Sequence, residues 1–204
     1  NPIGTLISLR RYPVISGLLI CIVIFNIAQH ATHSTWTFFT IEKFNWSEDI
    51  VGYSLGFIGL LAAIVQGGLI RVIIPKLGNI KSVYFGMIFY IIGLTLISLA
   101  QESWMIFAFA IPLSLGGISG PALQGIMTNN IPDDEQGEFQ GGMTSLISLT
   151  AIVGPLLMTN LFSYFTSEST NYYFPGAPFV LAAVLSVFGL IIAIKFLSGS
   201  KIKY

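Results

Sequence analysis

The stretch NNIPDDEQGEFQGGMTSLISLTAIVGPLL, residues 129–157, contains both parts of the pattern that decides the fold. Four acidic residues lie between Asp133 and Glu138, and an uncharged, mainly apolar run comes directly after them. A helix of about 20 apolar residues is long enough to cross some 30 Å of hydrocarbon. The stretch therefore predicts a polar connector that leads directly into a membrane-spanning helix.

The composition extends this prediction to the whole chain. Of the 204 residues, 54% are hydrophobic and 9% are charged, whereas roughly 25% are charged in a typical soluble domain. Because so few charges cannot cover a water-soluble surface of this size, the lipid bilayer is the first expected partner. The formal net charge is zero, which excludes the basic field that nucleic-acid binding requires. The single cysteine, Cys21, excludes an internal disulfide.

The apolar runs predict an all-α membrane protein with one bundle of six transmembrane helices. The runs are continuous rather than alternating, which argues against membrane strands. The chain opens on Asn1 rather than Met, which we interpret as a fragment or a processed product of a longer transporter. The predicted spans lie near residues 13–35, 49–74, 80–100, 104–127, 137–165 and 174–197 of a single unit that covers 1–204.

The positive residues predict the orientation of the bundle. An even number of helices places both termini on one side, and loops rich in Lys and Arg stay in the cytoplasm. Only Lys43 falls on the other side, so both termini are expected to be cytoplasmic. The residues on the side of the termini are Arg10, Arg11, Arg71, Lys76, Lys81, Lys195, Lys201 and Lys203.

The aromatic residues support the same frame. Amphipathic rings favour the membrane interface, so a set of them is predicted to mark the outer ends of the helices. This set consists of Trp36, Trp46, Trp104, Tyr172 and Tyr173.

The acidic cluster is predicted to lie at the first turn of the fifth helix, which begins directly after Pro132. Negative charge there favours the positive end of the helix dipole by roughly 0.3 to 1 kcal/mol per group. A metal site is the alternative, but clustered loop carboxylates are more often solvated caps, so we expect no metal.

The Gly-rich stretches 116–125 and 141–155 predict closely packed, bent helices.

The stretch PALQGIMTNNIPDDEQGEFQGGMTSLISLTAIVGPLLMT, residues 121–159, resembles the tenth and eleventh helices of the tetracycline/proton antiporter branch of the major facilitator superfamily. Further similar motifs are IGLL at 58–61, KLG at 76–78, GMI at 86–88 and SWM at 103–105. The resemblance implies the carboxyl-terminal six helices of a twelve-helix drug exporter of the inner membrane. A missing amino-terminal half and a small-molecule solute are then the partners, H+ is the coupling ion, and no other cofactor is expected.

The resemblance also assigns roles to individual residues. The charges of Arg71, Lys76 and Lys81, with Gly78 between them, are similar to the second copy of the superfamily's cytoplasmic gating motif. The pair Gly154 and Pro155 resembles the counterpart of its Gly-Pro antiporter motif.

The chain departs from the tetracycline exporters at two positions. Those exporters typically carry a histidine where this chain has Ala62 and an aspartate where it has Tyr90. The resemblance therefore does not imply tetracycline itself as the solute. No Asp or Glu lies deep within a predicted span, so this half is expected to supply no buried carboxylate as a proton carrier.

Polar residues inside the spans are the candidates for a transport pathway, because they are costly in lipid without a partner or water. Asn26, His30 and His33 recur with Thr37 at helical spacing and are predicted to form one stripe. A rise of 1.5 Å per residue places Asn26 about 20 Å and His30 about 26 Å from the start of the first helix. His30 either exchanges a proton near neutral pH or bonds to a neighbour.

Two glutamines complete the candidate pathway. Gln66 on the second helix either lines a cavity or bonds to a neighbouring helix. Gln124 lies on the fourth helix with Ser114 and Ser119, which the resemblance places beside the first.

These features favour a proton-coupled exporter that works by alternating access. The alternatives are a facilitator or uniporter of a small polar solute and a structural membrane subunit that transports nothing. An enzyme is not expected, because neither histidine has a Cys or an acidic residue at matching depth beside it.

Overall fold

The computed structural model describes residues 13–170 and 172–198. Within these residues it contains six helices that are long and apolar enough to cross a membrane, and no strand. This confirms the predicted six-helix all-α membrane fold. The helices are α1 (Pro13–Phe44), α2 (Glu48–Leu77), α3 (Asn79–Leu99), α4 (Ser103–Asn129), α5 (Gln136–Thr166) and α6 (Ala177–Leu197).

Two helices change their winding in the middle. In α2 the segment Val65–Leu69 is π-helical, and in α4 the segment Gly116–Ile118 is a 3-10 helix. The 3-10 segment comes after Pro112, whose ring removes a backbone donor from the helix. A third short segment, the 3-10 helix Asp133–Glu135, precedes α5, so the acidic cluster lies at the start of this helix, where the sequence predicts it.

The predicted helix ends lie within three residues of the observed ones, except at the end of the first helix. The sequence predicts an end of the first helix near residue 35, but α1 continues to Phe44 and carries Glu42 and Lys43 in its last turns. A charged residue such as Lys43 is typical of a connector between helices. Here the Lys43 Nζ donates a hydrogen bond to the Ser98 carbonyl oxygen at 3.3 Å, so the charge has a partner inside the protein. The last helix begins at Ala177 rather than near residue 174. The terminal charges Arg10, Arg11, Lys201 and Lys203 lie outside the described residues.

Four of the helices form the packed centre of the bundle. Helix α1 packs against α5 and α6, and α3 packs against α4 and α6. Within an apolar 18-residue stretch of each helix, 44 to 50% of the residues are buried in α1, α3, α4 and α6, against 22% in α5 and 6% in α2. Helices α2 and α5 therefore expose most of their surface.

Close contact between α3 and α4 depends on glycine. A Cβ atom at Gly86 would lie 2.6 Å from the Ser119 backbone nitrogen, and one at Gly93 would lie 2.5 Å from that of Leu113. These distances are shorter than atoms can approach, so only glycine permits the observed separation. Small residues allow membrane helices to pack closely and gain dispersion energy.

The Gly-rich stretches are closely packed only in part. Gly116 lies against the Tyr90 ring and Gly154 against the His30 ring, as the prediction requires. Gly120 and Gly141, in contrast, have no neighbour within 4 Å of the position that a Cβ atom would take. Composition predicts that close contacts exist in these stretches, but the helical phase decides which glycines make them.

Two tryptophans that the sequence predicts at the membrane interface are instead buried. Trp36 Nε1 donates to Ser54 Oγ at 3.0 Å and joins α1 to α2, and Trp46 Nε1 donates to Ser103 Oγ at 2.9 Å. An indole with a partnered N–H packs well in a protein core, so its amphipathic character alone does not place it at the interface. The remaining aromatic residues of that set, Trp104, Tyr172 and Tyr173, are exposed.

The connector between α5 and α6 is fixed to the end of α1. The Tyr173 hydroxyl donates to Glu42 Oε1 at 2.9 Å. Burial raises the pKa of Tyr173, and its hydrogen bond to the Glu42 carboxylate and the charge of that group raise it further. The phenol therefore remains a hydrogen-bond donor throughout the physiological pH range.

Candidate functional site

A cavity of about 270 Å³ lies where α1, α2, α3 and α4 meet. Drug-sized ligands occupy pockets of about 300–1,000 Å³, so this volume suits part of such a site. The lining residues are Phe25, Gln29, Thr32 and His33 of α1, Ile58, Ala62 and Gln66 of α2, Tyr90 of α3, and Leu113, Ser114, Gly116, Gly117, Gly120 and Pro121 of α4.

The two irregular helical segments lie against each other at this cavity. The π-helical segment Val65–Leu69 of α2 contacts the 3-10 segment Gly116–Ile118 of α4. A Cβ atom at Gly117 would lie 3.9 Å from Gln66 Nε2, which is ordinary contact distance. Single π-helical turns occur frequently at functional sites, because the extra residue changes the direction of the side chains around it. Gln66 is one such side chain.

An aromatic pair forms the apolar wall of the cavity. The ring centroids of Phe25 and Tyr90 are 4.9 Å apart, with an angle of 59° between the ring planes. Tyr90 is held from the other side by Gly116, where a Cβ atom would lie 2.5 Å from its Cδ2. The cavity therefore has a firmly packed aromatic face made of two tilted rings.

Two hydroxyl groups in the cavity wall are buried without a hydrogen-bond partner. They belong to Thr32 and Ser114. Thr32 Oγ1 interacts with the Tyr90 hydroxyl without reaching hydrogen-bond geometry. A buried polar group without a partner costs free energy, so these hydroxyls are positions where a ligand atom or water would be favoured.

Of the residues predicted for the transport pathway, two line the cavity. His33 and Gln66 do so, which favours the cavity-lining alternative for Gln66. Asn26, His30 and Gln124 do not line it.

The three other residues have neighbours elsewhere. Asn26 Nδ2 donates to the Ile22 carbonyl oxygen of its own helix at 2.9 Å. His30 packs against α5, where a Cβ atom at Gly154 would lie 2.6 Å from its Cγ. Gln124 is exposed, and its Nε2 lies 3.4 Å from Gln140 Oε1 of α5.

The predicted single stripe on α1 therefore reaches the cavity only at His33, and its role in a transport pathway stays a prediction. The face that α1 turns to the cavity carries Phe25, Gln29, Thr32 and His33. The sequence contains a signal for this face, because Gln29, Thr32 and His33 have the spacing i, i+3 and i+4. This signal is easy to overlook, because the spacing of Asn26, His30 and His33 is more conspicuous.

The residues of the predicted gating motif lie around the turn between α2 and α3. Gly78 has φ of 78°, a left-handed conformation that glycine adopts without strain. Its backbone N–H donates to the Ile74 carbonyl oxygen at 2.9 Å and ends α2. Arg71, Lys76 and Lys81 are exposed around this turn. Pro155 lies inside α5, next to the contact between Gly154 and His30.

Comparison with known proteins agrees with this arrangement. The family model described as the Major Facilitator Superfamily matches residues 73–203. The chain is 31% identical over 185 residues to the class C tetracycline resistance protein of Escherichia coli, covering 91% of this chain and 46% of that protein. It is 36% identical over 178 residues to the class E protein of Escherichia coli, covering 87% of this chain and 43% of that protein.

A more distant similarity extends to eukaryotes. Hippocampus abundant transcript-like protein 1 of Homo sapiens is 23% identical over 193 residues, which cover 87% of this chain and 38% of that protein. The chain spans less than half the length of these curated relatives. With its six apolar helices, the chain is a multi-pass membrane protein and belongs to the Major Facilitator Superfamily.

Proposed function

We propose that this chain is part of a secondary transporter that exports a drug-like amphipathic solute. The observation that carries the proposal is the cavity between α1, α2, α3 and α4, which combines an aromatic wall with hydroxyl, amide and imidazole groups inside a lipid-spanning bundle. Such polar groups are costly in a membrane unless they serve a pathway or a partner. The similarity to tetracycline resistance proteins supports efflux as the direction of transport.

The proposed transporter includes a second bundle that lies against α2 and α5. These helices have the least buried spans, and in α2 the glycines Gly52, Gly56, Gly59, Gly67 and Gly68 have no neighbour within 4 Å of the position that a Cβ atom would take. Glycine lowers helix stability, and a close neighbouring helix best explains this many open positions. Rocking of the two bundles would expose the cavity alternately to each side of the membrane.

We assign the start of α1, the end of α6 and the α2–α3 turn to the cytoplasmic side of the inner membrane. The charges Arg71, Lys76, Lys81 and Lys195 support this orientation, since Lys43 alone among the described cations lies at the opposite ends. A membrane-impermeant maleimide applied to intact cells is expected to label Glu168→Cys, in the connector between α5 and α6, but not Lys76→Cys. Buried Cys21 is the native background. If the reagent labels Lys76→Cys and not Glu168→Cys, the orientation is the opposite of the one proposed.

Proton coupling is expected to make efflux depend on the pH gradient. Inverted vesicles that contain the natural full-length polypeptide should accumulate tetracycline, norfloxacin or chloramphenicol when the interior is acidified, and a protonophore should abolish the difference. A gradient of about one pH unit supports up to about tenfold accumulation for one proton per solute. Equal accumulation with and without the gradient would contradict coupling and favour the facilitator.

His33 is the group of this bundle that we propose for proton exchange, because it lines the cavity whereas His30 packs against α5. His33→Asn keeps a polar side chain without a titrating imidazole, and His30→Asn is the matched control. If only His33→Asn weakens the response to the gradient, the assignment is supported; an equal response from both variants contradicts it.

The structural-subunit alternative predicts a different result. A subunit that transports nothing would leave accumulation of all three compounds unchanged in the vesicles. It would also be monodisperse and stable as six helices alone, whereas half of a transporter should require its second bundle.

A further inference from the structure

Most serine and threonine hydroxyls of the bundle bond within their own helix. Those of Ser54, Ser82, Ser119, Thr150 and Thr159 donate to backbone carbonyl oxygens three or four residues earlier, at distances of 2.6 to 2.8 Å. This bond satisfies a hydroxyl in lipid without help from another helix. A buried hydroxyl that does not make it is therefore an exception that requires an explanation.

Within the described residues, the buried Ser and Thr hydroxyls without such a partner are those of Thr32, Ser114 and Ser186. Thr32 and Ser114 lie in the cavity wall, on α1 and α4 respectively, whereas Ser186 lies on α6 and does not line the cavity. Neither cavity hydroxyl completes a hydrogen bond within the bundle, although Thr32 Oγ1 interacts with the Tyr90 hydroxyl, so each can donate to a group placed between the helices. Ser186 provides a matched hydroxyl elsewhere in the fold.

The other polar side chains of the cavity wall are two uncharged amides, one imidazole and the phenol of Tyr90. Gln29 and Gln66 supply the amides and His33 the imidazole. Among the lining residues that the structure describes, none is Asp, Glu, Lys or Arg. Ala62 and Tyr90 also lie in this wall and add a methyl group and a neutral phenol.

We infer that this bundle recognises an uncharged, aromatic solute with hydrogen-bond acceptors, and that Ser114 and Thr32 are its specificity-determining donors. The Phe25 and Tyr90 rings provide the surface on which a conjugated ring system packs, and the hydroxyls meet carbonyl or ether oxygens at its edge. A cation would lose its hydration here without a carboxylate of this bundle to replace it. This inference rests on the proposed transport function.

The test uses two probes with the same three-ring skeleton. N-methylacridone is neutral and carries a ring carbonyl acceptor, whereas N-methylacridinium is a permanent cation without one. Binding of each to the purified natural full-length polypeptide is measured by fluorescence. We expect N-methylacridone to bind more tightly, and Ser114→Ala and Thr32→Val each to weaken its binding by about three- to tenfold, the usual effect of losing one neutral hydrogen bond. Ser186→Ala should leave it unchanged.

Three results would overturn the inference. They are failure of N-methylacridone to bind, tighter binding of the cation, and equal effects of Ser114→Ala and Ser186→Ala. The accumulation assay in vesicles separates this failure from that of the proposed function. If the protein accumulates a drug but Ser114→Ala changes neither probe's affinity, only the inference fails, whereas absence of any gradient-driven accumulation contradicts the transport proposal itself.

Discussion

Replacing Gly93 with alanine is expected to destabilise the bundle by about 1 to 3 kcal/mol, the usual cost of overpacking. The new Cβ atom would lie 2.5 Å from the Leu113 backbone nitrogen and 2.6 Å from its Cα atom. Neither atom can move without displacing α4, so the two helices would have to separate. Replacement with leucine is expected to prevent the packed bundle from forming, because its larger side chain would enter the same space.

The measurement is thermal unfolding of the purified protein in detergent, with size-exclusion chromatography to detect loss of the packed form. Gly137→Ala is the control, since nothing lies within 4 Å of its Cβ position near the start of α5. Alanine there should leave stability unchanged or raise it by up to about 1 kcal/mol, because glycine is the weaker helix former. Similar destabilisation by the two alanine variants would show that helix α3 does not depend on close contact at Gly93.

The number of helices could be predicted from the sequence because lipid imposes it. Each span must satisfy its own backbone, and only continuous apolar runs of sufficient length do so. The end of α1 could not be predicted in this way, since Glu42 and Lys43 resemble a connector until their partners Tyr173 and the Ser98 carbonyl are known. Hydropathy describes the contact of a residue with solvent, and these two residues contact protein.

The kinds of residue that line the cavity can be predicted from the sequence, but the place where they meet cannot. His33, Gln66 and Ser114 can be identified from the sequence as polar residues within the predicted spans, and all three line the cavity. The π-helical turn at Val65–Leu69 and the 3-10 turn at Gly116–Ile118 rotate the residues around them, so a regular helical wheel misplaces the side chains beyond each turn. Pairwise packing between helices, which one sequence does not contain, decides the final directions.

The contact between His30 and Gly154 illustrates this, and it leads to the second large expected effect. A Cβ atom at Gly154 would lie 2.6 Å from His30 Cγ and 2.9 Å from His30 Cβ. The Cβ atom of His30 belongs to the fixed stem of the side chain, so a rotation of the ring does not relieve the clash. Gly154→Ala is therefore expected to lower stability by about 1 to 3 kcal/mol and to disturb the join between α1 and α5 beside Pro155.

A double-mutant cycle distinguishes this clash from a general requirement for glycine before proline. If the His30 side chain is the obstacle, His30→Ala should accommodate the alanine at 154, and the double variant should be about as stable as His30→Ala alone. The coupling energy from thermal unfolding is then expected within the range of about 0.5 to 3 kcal/mol seen for contacting residues. Additive losses would instead mean that Gly154 is needed by the backbone of α5 itself, next to Pro155. In that case the His30 ring would not determine how closely α5 approaches α1.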